Sequence, residues 1–179
     1  MLRISALALA ACATLAAAPA SAQTGDAPGV IYGGVSGGYH DLGTDAPGDN
    51  GGGILGGVVG YDVSLSPTVV AGVEGNFHFG EGAIDSDYGV AGRLGYRFPS
   101  GGVAYVRAGY QWVNLDVGNL SGIDGVDDDA LIIGDTVDDY LVGVGGEFPL
   151  SNPNMRVRVG VDTVGFDSVR PTAGLLFRF

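Results

Sequence analysis

The 179-residue chain contains no lysine and only one cysteine, Cys12. We expect the segment around Cys12 to be cleaved off, which excludes disulfides and thiol chemistry in the remaining chain. Leu9-Ala10-Ala11 before it resembles a lipoprotein cleavage box, but too few apolar residues precede the cysteine for such a signal. No basic patch is present to neutralise phosphates, which excludes nucleic acid as a partner. After residue 22 no apolar run reaches about 18 residues, which excludes a membrane-spanning helix there.

The first 22 residues have the pattern of a secretory signal peptide. Arg3 supplies the positive charge, residues 4–18 form a short apolar stretch, and Ala20-Ser21-Ala22 is an A-x-A cleavage site. The alternative is a retained membrane helix, but the apolar stretch is short and no stop-transfer pattern follows. We therefore expect export through the Sec pathway, a cleaved signal peptide at 1–22 and a mature domain at 23–179.

Eight segments of about ten residues alternate apolar side chains with small or polar ones, which is the period of a β-strand with two different faces. They cover residues 30–40, 54–63, 68–79, 88–98, 103–113, 140–148, 155–164 and a closing segment that ends at Phe179. The chain is 46% hydrophobic, and without hydrophobic helices such a chain crosses a bilayer only as a closed barrel. The sequence predicts an all-β fold, an eight-stranded antiparallel transmembrane β-barrel. A soluble sandwich or lipocalin-like barrel is the alternative, but it would put its apolar residues inside.

The closing segment ends on an aromatic residue and has one apolar face, which is typical of bacterial outer-membrane barrels. We expect this face to act as the assembly signal, through Leu175, Phe177 and Phe179. Short connections at 64–67, 99–101 and 150–154 predict the periplasmic turns. The connections at 41–53, 80–87, 114–139 and 165–170 then lie outside the cell.

Arginines and carboxylates recur on the non-apolar faces of the predicted strands. They predict an ionic network that fills the lumen, formed by Asp62, Glu74, Arg93, Arg97, Arg107, Glu147, Arg156, Arg158, Asp162 and Arg178. If the third and fourth strands turn near Ala83-Ile84, Glu74 lies directly opposite Arg93. Inward glycines would give these long side chains room. The alternative is a charged pore, although an eight-stranded barrel is only about wide enough to hold its own side chains.

The remaining acidic residues lie mainly in the connections. The mature chain has a formal charge of −13 (20 acidic residues and seven arginines), and the segment 114–139 includes Asp124, Asp127, Asp128 and Asp129. Carboxylates suit calcium or magnesium, but the spacing matches no EF-hand loop. We expect an acidic surface loop that binds divalent cations loosely near lipopolysaccharide, and no dedicated metal site.

The two histidines are the candidates for catalysis. His78 has no serine nearby in the sequence, and His40 and the adjacent Asp41 point to opposite faces of a strand. The His-x-Ser motif of lipid A deacylase barrels is absent at both histidines. Residues 23–29 are too few for the amphipathic helix with which palmitoyltransferase barrels begin. We expect no catalytic residues and no cofactor.

Four segments carry a family resemblance: residues 70–75 (VAGVEG), 92–98 (GRLGYRF), 142–148 (VGVGGEF) and 174–179 (GLLFRF). They resemble strands of the small outer-membrane protein β-barrel domain family, which is related to the OmpA transmembrane domain, OmpX and the opacity proteins. The resemblance implies a barrel in outer-membrane lipid and lipopolysaccharide, delivered by periplasmic chaperones and inserted by the BAM machinery. It implies no single activity. We expect a non-catalytic structural or surface role in the cell envelope, with a narrow porin-like channel for ions or small solutes as the alternative.

Overall fold

A computed structural model describes residues 29–43, 50–115 and 136–179. These residues form eight strands: β1 (Val30–Asp41), β2 (Gly51–Ser64), β3 (Val69–Gly80), β4 (Ile84–Arg97), β5 (Val103–Leu115), β6 (Thr136–Pro149), β7 (Met155–Val164) and β8 (Arg170–Arg178). Each strand pairs antiparallel with the next, and β1 pairs with β8 to close the barrel. The predicted fold class is confirmed.

The alternation along each strand separates an apolar exterior from a polar interior. In β3, Val73 is 63% exposed, whereas the next residue, Glu74, is 5% exposed. In β5, Val106 is likewise exposed, while Arg107 points its guanidinium inward to carboxylates. A soluble barrel would have the opposite arrangement, so the exterior is suited to lipid rather than to water.

Short turns join β2 to β3, β4 to β5 and β6 to β7 at one end of the barrel, the end at which β1 begins and β8 finishes. In barrels of this kind the short turns face the periplasm. At the other end, β3 and β4 are joined by a tight turn of residues 81–83, where a loop of residues 80–87 was predicted. The turn is tight because Gly82 adopts a φ of 76°, which other residues rarely take. Asp87 therefore belongs to a strand and not to a loop.

The predicted opposition of Glu74 and Arg93 is wrong. Glu74 lies opposite Ala91, and Arg93 lies opposite Gly72. The turn is centred one residue earlier than expected, and this moves every partner along β4 by two positions. The two side chains still meet diagonally, with Arg93 Nη1 3.5 Å from Glu74 Oε2.

Two sequence predictions lie outside the described residues. They are the signal peptide at 1–22 and the acidic surface loop with Asp124, Asp127, Asp128 and Asp129. Within the described ranges, no helix is long and apolar enough to cross a membrane.

Candidate functional site

The candidate site is the lumen, in which charged side chains from the seven strands β2 to β8 converge. The structure joins seven of the ten predicted network residues by ion pairs: Asp62, Glu74, Arg93, Arg107, Glu147, Arg158 and Asp162. Arg97, Arg156 and Arg178 form no ion pair with any carboxylate in the described parts of the chain. Two further network residues, Asp87 and Arg170, were not predicted.

Glu74 on β3 is the centre of this network. Its Oε1 accepts a hydrogen bond from Arg107 Nη1 at 2.6 Å. Its Oε2 accepts bonds from the Tyr32 hydroxyl at 2.7 Å and from Arg158 Nη1. A buried carboxylate is stable only when its charge is paired and its lone pairs are satisfied, and these contacts do both.

Arg93 and Arg158 extend the network towards the periplasmic end. Both guanidinium groups contact Glu147 Oε1, at 2.7 Å and 2.8 Å, and Arg93 Nε lies 3.3 Å from Asp62 Oδ1. The two arginines also lie over the rings of Tyr32 and Tyr105, with centroid distances between 4.5 and 5.3 Å. Stacking on the ring faces stabilises the parts of a guanidinium that no carboxylate reaches.

Asp162 on β7 connects this central group to the extracellular end. Arg107 binds both of its oxygens, with Nε donating to Oδ1 at 2.7 Å and Nη2 donating to Oδ2. Arg170 Nη2 donates to the same Oδ2 at 3.3 Å. The other terminal nitrogen of Arg170, Nη1, donates to Asp87 Oδ2 at 2.6 Å. Arg170 therefore bridges two carboxylates.

Asp87 is the centre of a second cluster, close to the extracellular end. Besides Arg170, Gln111 Nε2 donates to its Oδ1 at 3.0 Å. The Nδ1 atoms of His40 and His78 lie 3.2 Å and 3.0 Å from its two oxygens. Four members of this cluster are fully buried: Asp87, Arg170, Gln111 and His40. Their side chains therefore fill the lumen near its extracellular end.

Both histidines of the second cluster also contact a serine. His78 Nε2 lies 2.8 Å from Ser36 Oγ, and His40 Nε2 lies 3.3 Å from Ser168 Oγ. No serine lies near His78 in the sequence, but the fold brings Ser36 to it from another strand. Each histidine lies between a serine and Asp87, which is the order of groups in a hydrolytic triad.

The surroundings of these serines differ from those of a hydrolase. The cavity beside Ser36 and His78 measures about 20 Å³, which is room for about one water molecule. The Ser168 hydroxyl is directed to the backbone, because it donates to the Val164 carbonyl at 2.9 Å. An acyl-transfer site needs a space next to the nucleophile in which the reacting carbonyl can lie, and the cavity beside Ser36 is too small for one.

A glycine pattern explains how these side chains meet. Four contacts join residues that lie two strands apart and opposite the same glycine of the strand between them. Tyr32 and Glu74 flank Gly60, Ser36 and His78 flank Gly56, Asp62 and Arg93 flank Gly72, and Arg107 and Asp162 flank Gly143. A Cβ at Gly60 would collide with the Tyr32 ring, and one at Gly143 would collide with the Asp162 carboxylate. The missing side chain thus creates the space in which each pair forms.

The residues of the predicted assembly signal lie on the outside of the barrel. Leu175 and Phe177 are exposed on the outer face of β8, and Phe179 is 82% exposed. The Phe179 N–H donates to the Ile31 carbonyl at 2.9 Å, next to the seam between β1 and β8. In the part of the chain that the structure describes, no group of three or more His, Cys, Asp or Glu residues is arranged to hold a metal ion.

A closed barrel with an apolar exterior and a charged, packed interior defines a protein of the outer-membrane β-barrel class. The chain belongs to the outer membrane protein beta-barrel domain family, whose model matches residues 6–176. It is thus a protein of the outer membrane, with its outer face in the lipid and lipopolysaccharide of that membrane.

Solved structures of the same shape come from several bacteria. The N-terminal barrel of Pseudomonas aeruginosa OprF is similar with a TM-score of 0.56 at 15% identity, over 84% of this chain and 97% of that one. Ail, the attachment invasion locus protein of Yersinia pestis, gives 0.52 at 15% identity, over 84% and 97%. Neisserial surface protein A gives 0.51 at 15% identity, over 87% and 100%. No curated protein matches the chain. At these identities the likeness establishes the fold alone.

Proposed function

We propose that this protein is a sealed, non-catalytic barrel with a structural or surface role in the cell envelope. The observation that carries the proposal is the lumen, in which buried ion pairs connect β2, β3, β4, β5, β6, β7 and β8. An eight-stranded barrel has an interior about wide enough to be filled by side chains. Ion pairs that cross the lumen stiffen the wall and occupy space that a water path would need.

The absence of a catalytic role is part of the same proposal. Both serine–histidine–aspartate arrangements lie in the packed interior, where Asp87, His40 and Arg170 are fully buried. Ser36 faces a space of about one water molecule, and the buried Ser168 donates its hydroxyl proton to the Val164 carbonyl. We therefore assign these contacts to packing and hydrogen bonding of the lumen.

Several partners belong to the proposal. We propose that periplasmic chaperones and the BAM machinery assemble the barrel and that its terminal face, Leu175, Phe177 and Phe179, is recognised. Deletion of Phe179 should reduce insertion into the outer membrane, and normal insertion would contradict this role. The acidic loop with Asp124 and Asp127–Asp129 is proposed to bind divalent cations loosely near lipopolysaccharide, because carboxylates attract such cations.

A narrow porin-like channel is the alternative function, and conductance separates the two. The refolded mature chain should give no single-channel steps in a planar bilayer, because the lumen is filled. Folding and insertion are verified on the same sample. Uniform steps that change when Arg97 or Arg107 is replaced would instead make the channel the function of the barrel.

A further inference from the structure

Three arginines of the lumen form no ion pair with a carboxylate in the described parts of the chain, and all three lie at the periplasmic end. Arg97 is the last residue of β4, Arg178 is the last residue of β8, and Arg156 is the second residue of β7. The positive charges of Arg97 and Arg178 both act on the Arg156 guanidinium. Three cations on three strands therefore face one mouth of the barrel.

Their hydrogen bonds to protein are few. Arg97 Nη2 donates to Ser64 Oγ at 3.3 Å, and Arg156 Nη1 donates to the Gly101 carbonyl at 3.0 Å. The Arg178 side chain makes no hydrogen bond or ion pair to any described residue. The other four arginines, Arg93, Arg107, Arg158 and Arg170, each bind two or more carboxylates. Among the described residues, the arginines elsewhere in the lumen are thus all ion-paired, and these three are not.

Arg156 makes the imbalance specific. The residue is only 6% exposed, and its Nε has no hydrogen-bond partner. The Nε atoms of Arg93, Arg158 and Arg170 also lack one, but those guanidinium groups are held by ion pairs. A buried guanidinium N–H is normally satisfied, and a buried charge is normally paired. Arg156 has neither an acceptor at Nε nor an ion pair among the described residues. Glu147 attracts its guanidinium, but the positive charges of Arg178, Arg97 and Arg93 repel it. An anion in this mouth would satisfy both needs.

We propose that Arg97, Arg156 and Arg178 bind an oxyanion of the phosphate type at the periplasmic mouth of the barrel. Guanidinium groups match phosphate oxygens in geometry and bind them through two parallel N–H bonds. Three cations favour an oxyanion of more than one charge over a single carboxylate. Free phosphate and the headgroup of a phospholipid at the rim share this chemistry. The site is independent of the proposed structural role of the barrel.

The test uses the refolded mature chain in zwitterionic detergent. Inorganic phosphate is titrated against chloride at equal ionic strength, and the arginine Nε–Hε resonances are followed by NMR. Phosphate should shift the resonances of Arg97, Arg156 and Arg178 saturably, and chloride should not. Arg178→Gln should weaken phosphate binding about tenfold, because it removes charge-assisted hydrogen bonds. The Arg178 side chain has no hydrogen bond or ion pair with the described residues to lose, so this variant should fold normally.

Asn50→Asp is the matched control, because it changes the formal charge by the same amount at the extracellular end. Its phosphate titration should equal that of the wild type. Arg178→Lys keeps the charge without the planar fork and should fall between the wild type and Arg178→Gln. Equal shifts with phosphate and chloride, or a titration of Arg178→Gln like that of the wild type, would overturn the proposal.

A second arm identifies the source of the anion. The protein is placed in phosphatidylglycerol nanodiscs without free phosphate. If the three resonances already lie at their bound positions, a lipid headgroup occupies the site; if they move only when phosphate is added, the ligand is the free ion. Both results support the site. Resonances that stay at their free positions in lipid and do not respond to phosphate would contradict it.

Discussion

Glu74→Gln is expected to lower the free energy of unfolding by about 3–5 kcal/mol, the usual cost of breaking a buried ion pair from one side. Glu74 accepts bonds from Arg107, Arg158 and Tyr32. Glutamine has nearly the same shape but no charge, and its NH₂ group would face the donors of the arginines. The measurement is urea unfolding of the refolded protein in detergent micelles, with the midpoint and the slope compared between variants.

Glu81→Gln is the matched control for this substitution. Glu81 lies in the turn after β3 and is exposed. The same chemical change there should alter stability by less than about 0.5 kcal/mol, as is usual for surface substitutions. Equal stability of the two variants would show that the Glu74 contacts contribute nothing to the barrel.

Gly143→Ala is expected to destabilise the barrel by at least about 1–3 kcal/mol, the typical effect of overpacking. A Cβ at this position would overlap the Asp162 carboxylate and come within 3.0 Å of the Val161 carbonyl oxygen. Asp162 cannot turn away freely, because Arg107 holds both of its oxygens. The methyl group therefore either strains the wall or separates the ion pair.

Gly53→Ala provides the comparison for Gly143→Ala. A Cβ at Gly53 would have no atom within 4 Å, and the residue also lies inside a strand. The unfolding free energy of Gly53→Ala should stay close to that of the wild type. If Gly143→Ala proved as stable as Gly53→Ala, the glycines would not be needed for the contacts across the strands.

The sequence was sufficient to assign the faces of the strands, because a two-residue period directly decides which side chains point inward. β7 has the predicted bounds, Met155–Val164. Asp87 and Arg170 could have been found by the same rule. Asp87 is six residues before Arg93 on β4, and Arg170 is eight residues before Arg178 on β8, so each shares the inward face. They were missed because the predicted first residues of β4 and β8 lay too far along the chain.

Partners inside the lumen could not be predicted from the period alone. Arg158 on β7 reaches Glu74 on β3, a separation of 84 residues, because arginine is long enough to cross a narrow barrel. The meeting of Ser36 with His78 requires the registers of β1, β2 and β3 together with the space left by Gly56. Register depends on turn geometry. The tight turn at residues 81–83, which contains Gly82, puts Ala91 and not Arg93 opposite Glu74.

The central claim is that the lumen is filled by its own side chains, and the accessibility of Ser36 tests it most directly. Residues 23–179 contain no cysteine, so a protein of these residues carries a single thiol after Ser36→Cys. Ser151→Cys, at an exposed periplasmic turn, is the reference. In the folded barrel, a small charged thiol reagent should modify Ser151→Cys rapidly and leave Ser36→Cys unmodified, whereas both should react alike after unfolding. Reaction of Ser36→Cys in the folded barrel at the rate of Ser151→Cys would show a water-filled lumen and contradict the account.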